Sequence, residues 1–188
     1  MKIILGSKSP RRRELLSQLG YDFKVVVSNT IEIENGDTPE NLVKNNALAK
    51  AKLISKENPD HLVICADTIV VASDTIIGKP KNLAHARAII ELLQDNNHKV
   101  LTAVVCCFND KVWHFLETTT VYVSKMTDHE IDEYINTNEP YDKAGAYAIQ
   151  GLFAKYVSRI DGDFYNVMGL PLNHLYQLLK QIKIELGE

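Results

Sequence analysis

Within residues 62–72 of this 188-residue chain only Asp67 and Thr68 are polar. A carboxylate in the middle of an apolar run must be paired, bound to a cation or set at the mouth of a cleft, because burying it alone is strongly unfavourable. Strand carboxyl ends are where open α/β sheets take their ligands. The plainer alternative has Asp67 capping a turn between two short strands. A second anomaly is Gly6-Ser7-Lys8-Ser9-Pro10-Arg11-Arg12-Arg13. A small-residue turn feeds a helix there, and the free N–H groups and dipole of a helix start attract anions. Three arginines at that end are unfavourable unless an anion sits among them. Arg12 precedes Leu16 by four and Leu19 by seven, so it shares their inward face; Arg11 precedes Leu15 by four, and Arg13 points elsewhere. The alternative is a basic helix start on the surface.

Lys50 is the third anomaly. On a helix, positions 43, 47, 50 and 54 form one stripe, and Lys50 interrupts Val43, Ala47 and Ile54. It either serves a ligand or snorkels to solvent. Lys79, in Gly78-Lys79-Pro80, stands in a turn where lysines are ordinarily exposed. Residues 139–151 and 161–171 are rich in small residues that permit close backbone approach to a ligand, or simply turn and pack. Glu32 and Glu34 lie in a polar loop, as solvated residues or as ligands to a metal.

The elements that must position these residues follow from periodicity and caps. Residues 2–5 predict a buried strand, and Pro10 opens a helix with Ser9 as its N-cap and Gly20 at its end. A strand over 21–27 leads into a loop at 28–38, and a helix runs from 39 to about 57. Residues 62–72 read as one long strand or a strand pair, 75–80 as a turn, and 82–94 as a helix. Strands at 98–108 and 111–123 join near Asn109-Asp110. Thr127 and Glu130 form a capping box for a helix at 127–137. Residues 139–151 predict a loop, 152–160 a strand and 161–163 a turn. Pro171 then opens a final helix. Strands alternating with helices, then hairpins, predict a mixed-sheet α/β fold.

Composition excludes several classes. Hydrophobic residues make up 45% of the chain, enough for one compact domain, 1–188. No apolar run approaches the length of a bilayer span. Twenty-one basic against 24 acidic residues leave a net charge of −3, which argues against nucleic acid as a partner. Cys65, Cys106 and Cys107 show no metal or disulfide spacing, and the six histidines show no ligand spacing. The start of the chain turns polar too soon for a signal peptide. A cytoplasmic, soluble protein is expected.

Taken in order, Ser7-Lys8-Ser9-Pro10-Arg11-Arg12, Ala66-Asp67-Thr68, Gly78-Lys79-Pro80, Glu139-Pro140 with Asp142-Lys143-Ala144-Gly145-Ala146-Tyr147 and Ile149-Gln150-Gly151, and Gly162-Asp163 with Gly169-Leu170-Pro171 resemble the Maf family of nucleotide pyrophosphatases. The resemblance runs from residue 2 to about 180. It implies a mixed, twisted sheet flanked by helices, with two lobes and a central cleft, similar to the inosine triphosphatase fold. It implies hydrolysis of the α–β phosphoanhydride of a nucleoside triphosphate by water, and a homodimer. By position in the motifs, Asp67 matches the proton acceptor, and Glu32 (or Glu34, across a variable loop) matches a carboxylate near a divalent metal, Mg²⁺ or Mn²⁺. Ser7 falls in the phosphate-binding turn, and Arg12, Lys50 and Lys79 match cations around the triphosphate. Arg11, Thr68 and Gln150 match the branch that takes dTTP and UTP; Thr68 and Gln150 have the donors and acceptors to read a pyrimidine edge. Gly6 stands where many relatives carry alanine, and the glycine is expected to be harmless. Two alternatives stay open: a pyrophosphatase for CTP or 7-methyl-GTP, and a nucleotide-binding regulator of cell division with little turnover.

Overall fold

The computed structural model describes residues 1–28, 30, 33 and 38–187. Among these residues the chain runs β1 (Lys2–Leu5), α1 (Pro10–Gln18), β2 (Phe23–Val25), α2 (Pro39–Glu57), β3 (His61–Ala72), β4 (Thr75–Ile77), α3 (Leu83–Leu93), β5 (Asn96–Phe108), β6 (Lys111–Val123), α4 (Asp128–Ile135), β7 (Val157–Asp161), α5 (Phe164–Met168) and α6 (Leu172–Leu186), with short 3₁₀ turns between α4 and β7. The local chemistry explains the starts. The Ser9 side chain accepts from the Arg12 N–H to cap α1, Thr38 accepts from the Asn41 N–H to cap α2, and both helices carry proline in their first turn. The capping box between Thr127 and Glu130 is formed at α4.

The described strands order as β2-β1-β3-β5-β6-β7, with β4 on β3. β1 is parallel to β2, with Ile3 opposite Phe23, and parallel to β3, with Ile3 opposite Leu62. β4 runs antiparallel to β3, and β7 to β6. The mixed α/β fold expected from the sequence is therefore the one observed. Beyond shifts of two residues or so at element ends, the local structure differs in three places. β4 occupies what reads as a plain turn, because Ile77 and Ile76 pair with Val70 and Val71. Residues Leu152–Tyr156 form a 3₁₀ turn, not the first half of a strand, because the Glu139 carboxylate takes their leading N–H groups. α5 fills part of the stretch after 163, started by Asp163 Oδ1 accepting from the Tyr165 N–H at 2.7 Å.

The contacts divide the chain into two compact units. One comprises Met1–Asp67, Thr102–Glu117 and Gly169–Glu188; the other comprises Thr68–Leu101 and Thr118–Met168. The second unit has its own core, including Ile90, Leu93, Val121, Ile135 and Phe153. The first buries Ile4, Leu5, Leu15, Leu16, Ile54, Leu62 and Ile64.

Packing around Gly6 shows why this chain carries no side chain there. A Cβ on Gly6 would lie 2.3 Å from Cys65 Sγ and 2.7 Å from Ile54 Cδ1. In this chain the Cys65 side chain fills the space that an alanine methyl would take. Gly6→Ala is expected to lower stability in urea by about 1–3 kcal/mol, the usual range for overpacking, and adding Cys65→Ala should restore most of it. A single Gly6→Ala variant as stable as the wild type would contradict this packing.

Candidate active site

The order of the first three strands places the site. From β1 the chain passes to β2 on one side and then to β3 on the other, so β1 is the switch point in the parallel part of the sheet, and at such points ligands bind beyond the carboxyl ends. Leu5 is opposite Ile64, and the Gly6 N–H donates to the Ile64 carbonyl at 2.8 Å. The turn after β1 is thereby fixed beside the stretch of β3 that carries Ala66 and Asp67. Ser7 is buried, and its Oγ accepts from the Ser9 N–H at 3.1 Å, which shapes the turn into α1.

Arg12 projects from the first turn of α1, half-buried, and its guanidinium is held by backbone. Nε donates to the Gly169 carbonyl and Nη1 to the Ala66 carbonyl, each at 2.8 Å, with Ser7 Oγ at 3.5 Å from Nη1. A fixed charge thus stands next to the residue before Asp67. Arg11 is half-buried and Arg13 exposed, as the helical spacing predicts.

Asp67 is 8% exposed. Lys50 Nζ donates to its Oδ1 at 2.9 Å, and Asn46 Nδ2 lies 3.4 Å from its Oδ2. The α2 stripe explains this: Val43, Ala47 and Ile54 are buried, and Lys50 emerges between them onto the carboxylate. Lys50 does not snorkel away to solvent. Asn46 was not singled out by the sequence reading, although the signal that marks Lys50 marks it too. It is a polar residue on the buried face of α2, one turn before Lys50. Its amide also bonds both backbone groups of Ile33, accepting from the N–H at 2.8 Å and donating to the carbonyl at 3.0 Å. Glu32 and Glu34 themselves lie outside the described residues.

Ser7, Arg12, Lys50 and Asp67 belong to the first unit; Thr68, Lys79 and Gln150 belong to the second. Thr68 is half-buried, and Lys79 and Gln150 are exposed. Within the second unit the Gly145 N–H donates to the Gly78 carbonyl at 3.2 Å, which stitches the turn of Lys79 to the loop of Gln150. Gly145 has φ +70°, and a Cβ there would meet Val70 Cγ2 at 2.9 Å, so both conformation and space require glycine. Glu139 has a local task. It accepts from the Leu152 and Phe153 N–H groups at 2.7 and 3.2 Å and from the Tyr134 hydroxyl at 3.0 Å. Burial, and then the nearby Glu139 charge, raise the Tyr134 phenol well above its ordinary range, so it stays a donor.

Two buried titratable groups, Cys65 and His98, are unsuited to phosphate chemistry. Cys65 is buried and its thiol pushed up to about 12, chiefly by burial and then by Cys107, so it is not a nucleophile. His98 Nε2 lies 2.6 Å from the Tyr147 hydroxyl, and burial lowers its pKa to about 4, which leaves the ring neutral at pH 7. Among the described residues no group of three or more His, Cys, Asp or Glu side chains could hold a metal ion. Asp67 nevertheless suits a hard cation: Mg²⁺ commonly takes one or two carboxylates and completes its shell with phosphate and water oxygens. Among the described residues no helix is long and apolar enough to cross a membrane.

The family model described as "Maf-like protein" matches residues 2–182. Over 191 residues the chain is 44% identical to a dTTP/UTP pyrophosphatase of Lachnoclostridium phytofermentans, covering 98% of this chain and 97% of that protein. It is 45% identical over 185 residues to one of Bacillus cereus, covering 98% and 91%. Among solved structures it resembles a HAM1 protein from Coxiella burnetii, with a TM-score of 0.59 and 13% identity over 96% of this chain and 99% of that one. The Staphylococcus aureus Ham1 protein gives a TM-score of 0.55 and 15% identity over 97% and 100%. The last two likenesses concern the fold alone, and they agree with the inosine triphosphatase-like architecture expected from the sequence.

Proposed function

The chain belongs to the Maf family, and on that premise we propose that it is a nucleoside triphosphate pyrophosphatase that converts dTTP and UTP to the monophosphate and pyrophosphate. The observation that carries the reading is Asp67. It is 8% exposed and paired with Lys50 in the middle of β3, just past the stretch that pairs in parallel with β1, beside the Ser7 turn and Arg12. A water oxygen forms the new bond to the α phosphorus as the α–β anhydride bond breaks. Asp67 takes the proton of that water, a general-base role. Arg12, Lys50 and Lys79 oppose the triphosphate charge locally, which a protein of net charge −3 requires. The Ser7 turn and the start of α1 offer N–H groups to phosphate oxygens. Arg11, Thr68 and Gln150 select the pyrimidine base.

Asp67, with Glu32 or Glu34, would hold a divalent cation, Mg²⁺ or Mn²⁺. Such a cation neutralises phosphate charge when bound. The same reading takes the protein to be a cytoplasmic homodimer. A panel of dTTP, UTP, CTP, ATP, GTP and 7-methyl-GTP, assayed with Mg²⁺, Mn²⁺ and EDTA, tests the activity. The expected result is pyrophosphate and monophosphate from dTTP and UTP, abolished by EDTA. Failure to release pyrophosphate from either nucleotide with both metals would overturn the assignment. Preference for CTP or 7-methyl-GTP would reassign the base.

A further inference from the structure

Position 46 lies inside α2, flanked by the buried residues Leu42, Val43 and Ala47, where an apolar side chain is the expected occupant. The chain places an asparagine there instead, 5% exposed, and uses its amide three times. Oδ1 accepts from the Ile33 N–H at 2.8 Å. Nδ2 donates to the Ile33 carbonyl at 3.0 Å and lies 3.4 Å from Asp67 Oδ2. The first two contacts imitate a strand pairing and hold one backbone unit from both sides. The third contact falls on the carboxylate oxygen that Lys50 does not take, since Lys50 holds Oδ1 at 2.9 Å. Asp67 is therefore gripped at both oxygens from one helix face, by residues four apart, and one of those grips also fixes the backbone at Ile33. Only a side chain with one acceptor and two donors in a plane does all of this. Aspartate keeps the acceptor and loses both donors; leucine loses all three groups.

We propose that Asn46 is a positioning residue for the hydrolysis, holding the Asp67 carboxylate and the Ile33 backbone in a single geometry. The proposal rests on the pyrophosphatase reading, in which Asp67 accepts the proton of the attacking water. A base free to swing by an ångström loses about a hundredfold in rate. On that reading substrate binding falls to other residues, among them Ser7, Arg12 and Lys79. Loss of Asn46 should therefore appear in kcat and leave KM nearly alone.

The experiment compares wild type, Asn46→Leu and Asn46→Asp, each first shown to be folded by circular dichroism. Steady-state kinetics on dTTP and UTP are paired with amide hydrogen exchange at Ile33. Both variants should lose about a hundredfold in kcat with KM within about threefold of wild type, and Asn46→Leu should lose protection at the Ile33 N–H. Asn46→Asp keeps an acceptor for that N–H and should retain more protection, although its kcat falls. This split is one that a merely structural residue would not produce. A folded Asn46→Leu protein with wild-type kcat overturns the proposal, and so does unchanged protection at Ile33. A wild type inactive on both nucleotides overturns the pyrophosphatase reading instead, while the exchange measurement still judges the clamp.

Discussion

Asp67→Asn should reduce pyrophosphate release from dTTP and UTP by about a thousandfold, within the range found when a general base is removed, and leave nucleotide binding in place. The amide matches the carboxylate in shape and keeps an oxygen for the Lys50 ammonium, which sits 2.9 Å from Oδ1 in the wild type. Its nitrogen has no lone pair with which to take a proton from water. The fold should survive, because the exchange changes no volume in a site where the residue is 8% exposed. Turnover is read by product release and binding by calorimetry with the same nucleotides. A variant within tenfold of wild-type turnover would remove Asp67 from the proton-transfer step. A protein that acts as a nucleotide-binding regulator would show little wild-type turnover to lose, so one pair of measurements separates enzyme from sensor.

The second large effect is expected at Lys50. Its ammonium and the Asp67 carboxylate form an ion pair with side-chain exposures of 13% and 12%. Taking the lysine away from so enclosed a carboxylate leaves a charge with too little compensation, and breaking a buried pair in this way costs about 3–5 kcal/mol. The residual exposure brings the expectation for Lys50→Met to the lower end, about 3 kcal/mol. The same substitution should raise KM for the triphosphate, because a cation is lost beside it. Combining Lys50→Met with Asp67→Asn removes the orphaned charge, so the double variant should be more stable than Lys50→Met alone. Urea unfolding of the four proteins closes the cycle. A Lys50→Met cost below about 1 kcal/mol, the ordinary value of a surface pair, would show that the pair is not acting as a buried one.

Much of the fold was legible in local signals. α2 runs over Pro39–Glu57, where the apolar spacing placed it, and the Thr127 capping box forms as read. β5 and β6 meet at Asn109 and Asp110, with Asn109 at φ 50°, the left-handed conformation a tight hairpin needs. The misreadings share a cause. Leu152–Tyr156 has an apolar start that suits a strand, but Glu139, thirteen residues before Leu152, draws its N–H groups into a 3₁₀ turn. That an alanine at position 6 would meet Cys65, on another strand, is likewise invisible in the sequence. Asn46 escaped notice because an asparagine on a helix is ordinary until its neighbours in space are known.

The sequence alone marked the candidate side chains for chemistry and most of the elements that bear them. Helical and strand periods, caps and turn residues act over a few positions, and a carboxylate in an apolar run stands out without any coordinates. Tertiary structure decided the partners. Lys50 reaches Asp67 across seventeen residues of chain, and Arg12 donates to a carbonyl 157 residues away. The Lys50 contact exists because β1 pairs with β3 in a register that sets the end of β1 beside the middle of β3, where the α2 face meets it. Such pairing depends on non-local hydrogen bonds and packing, which no short window of residues encodes.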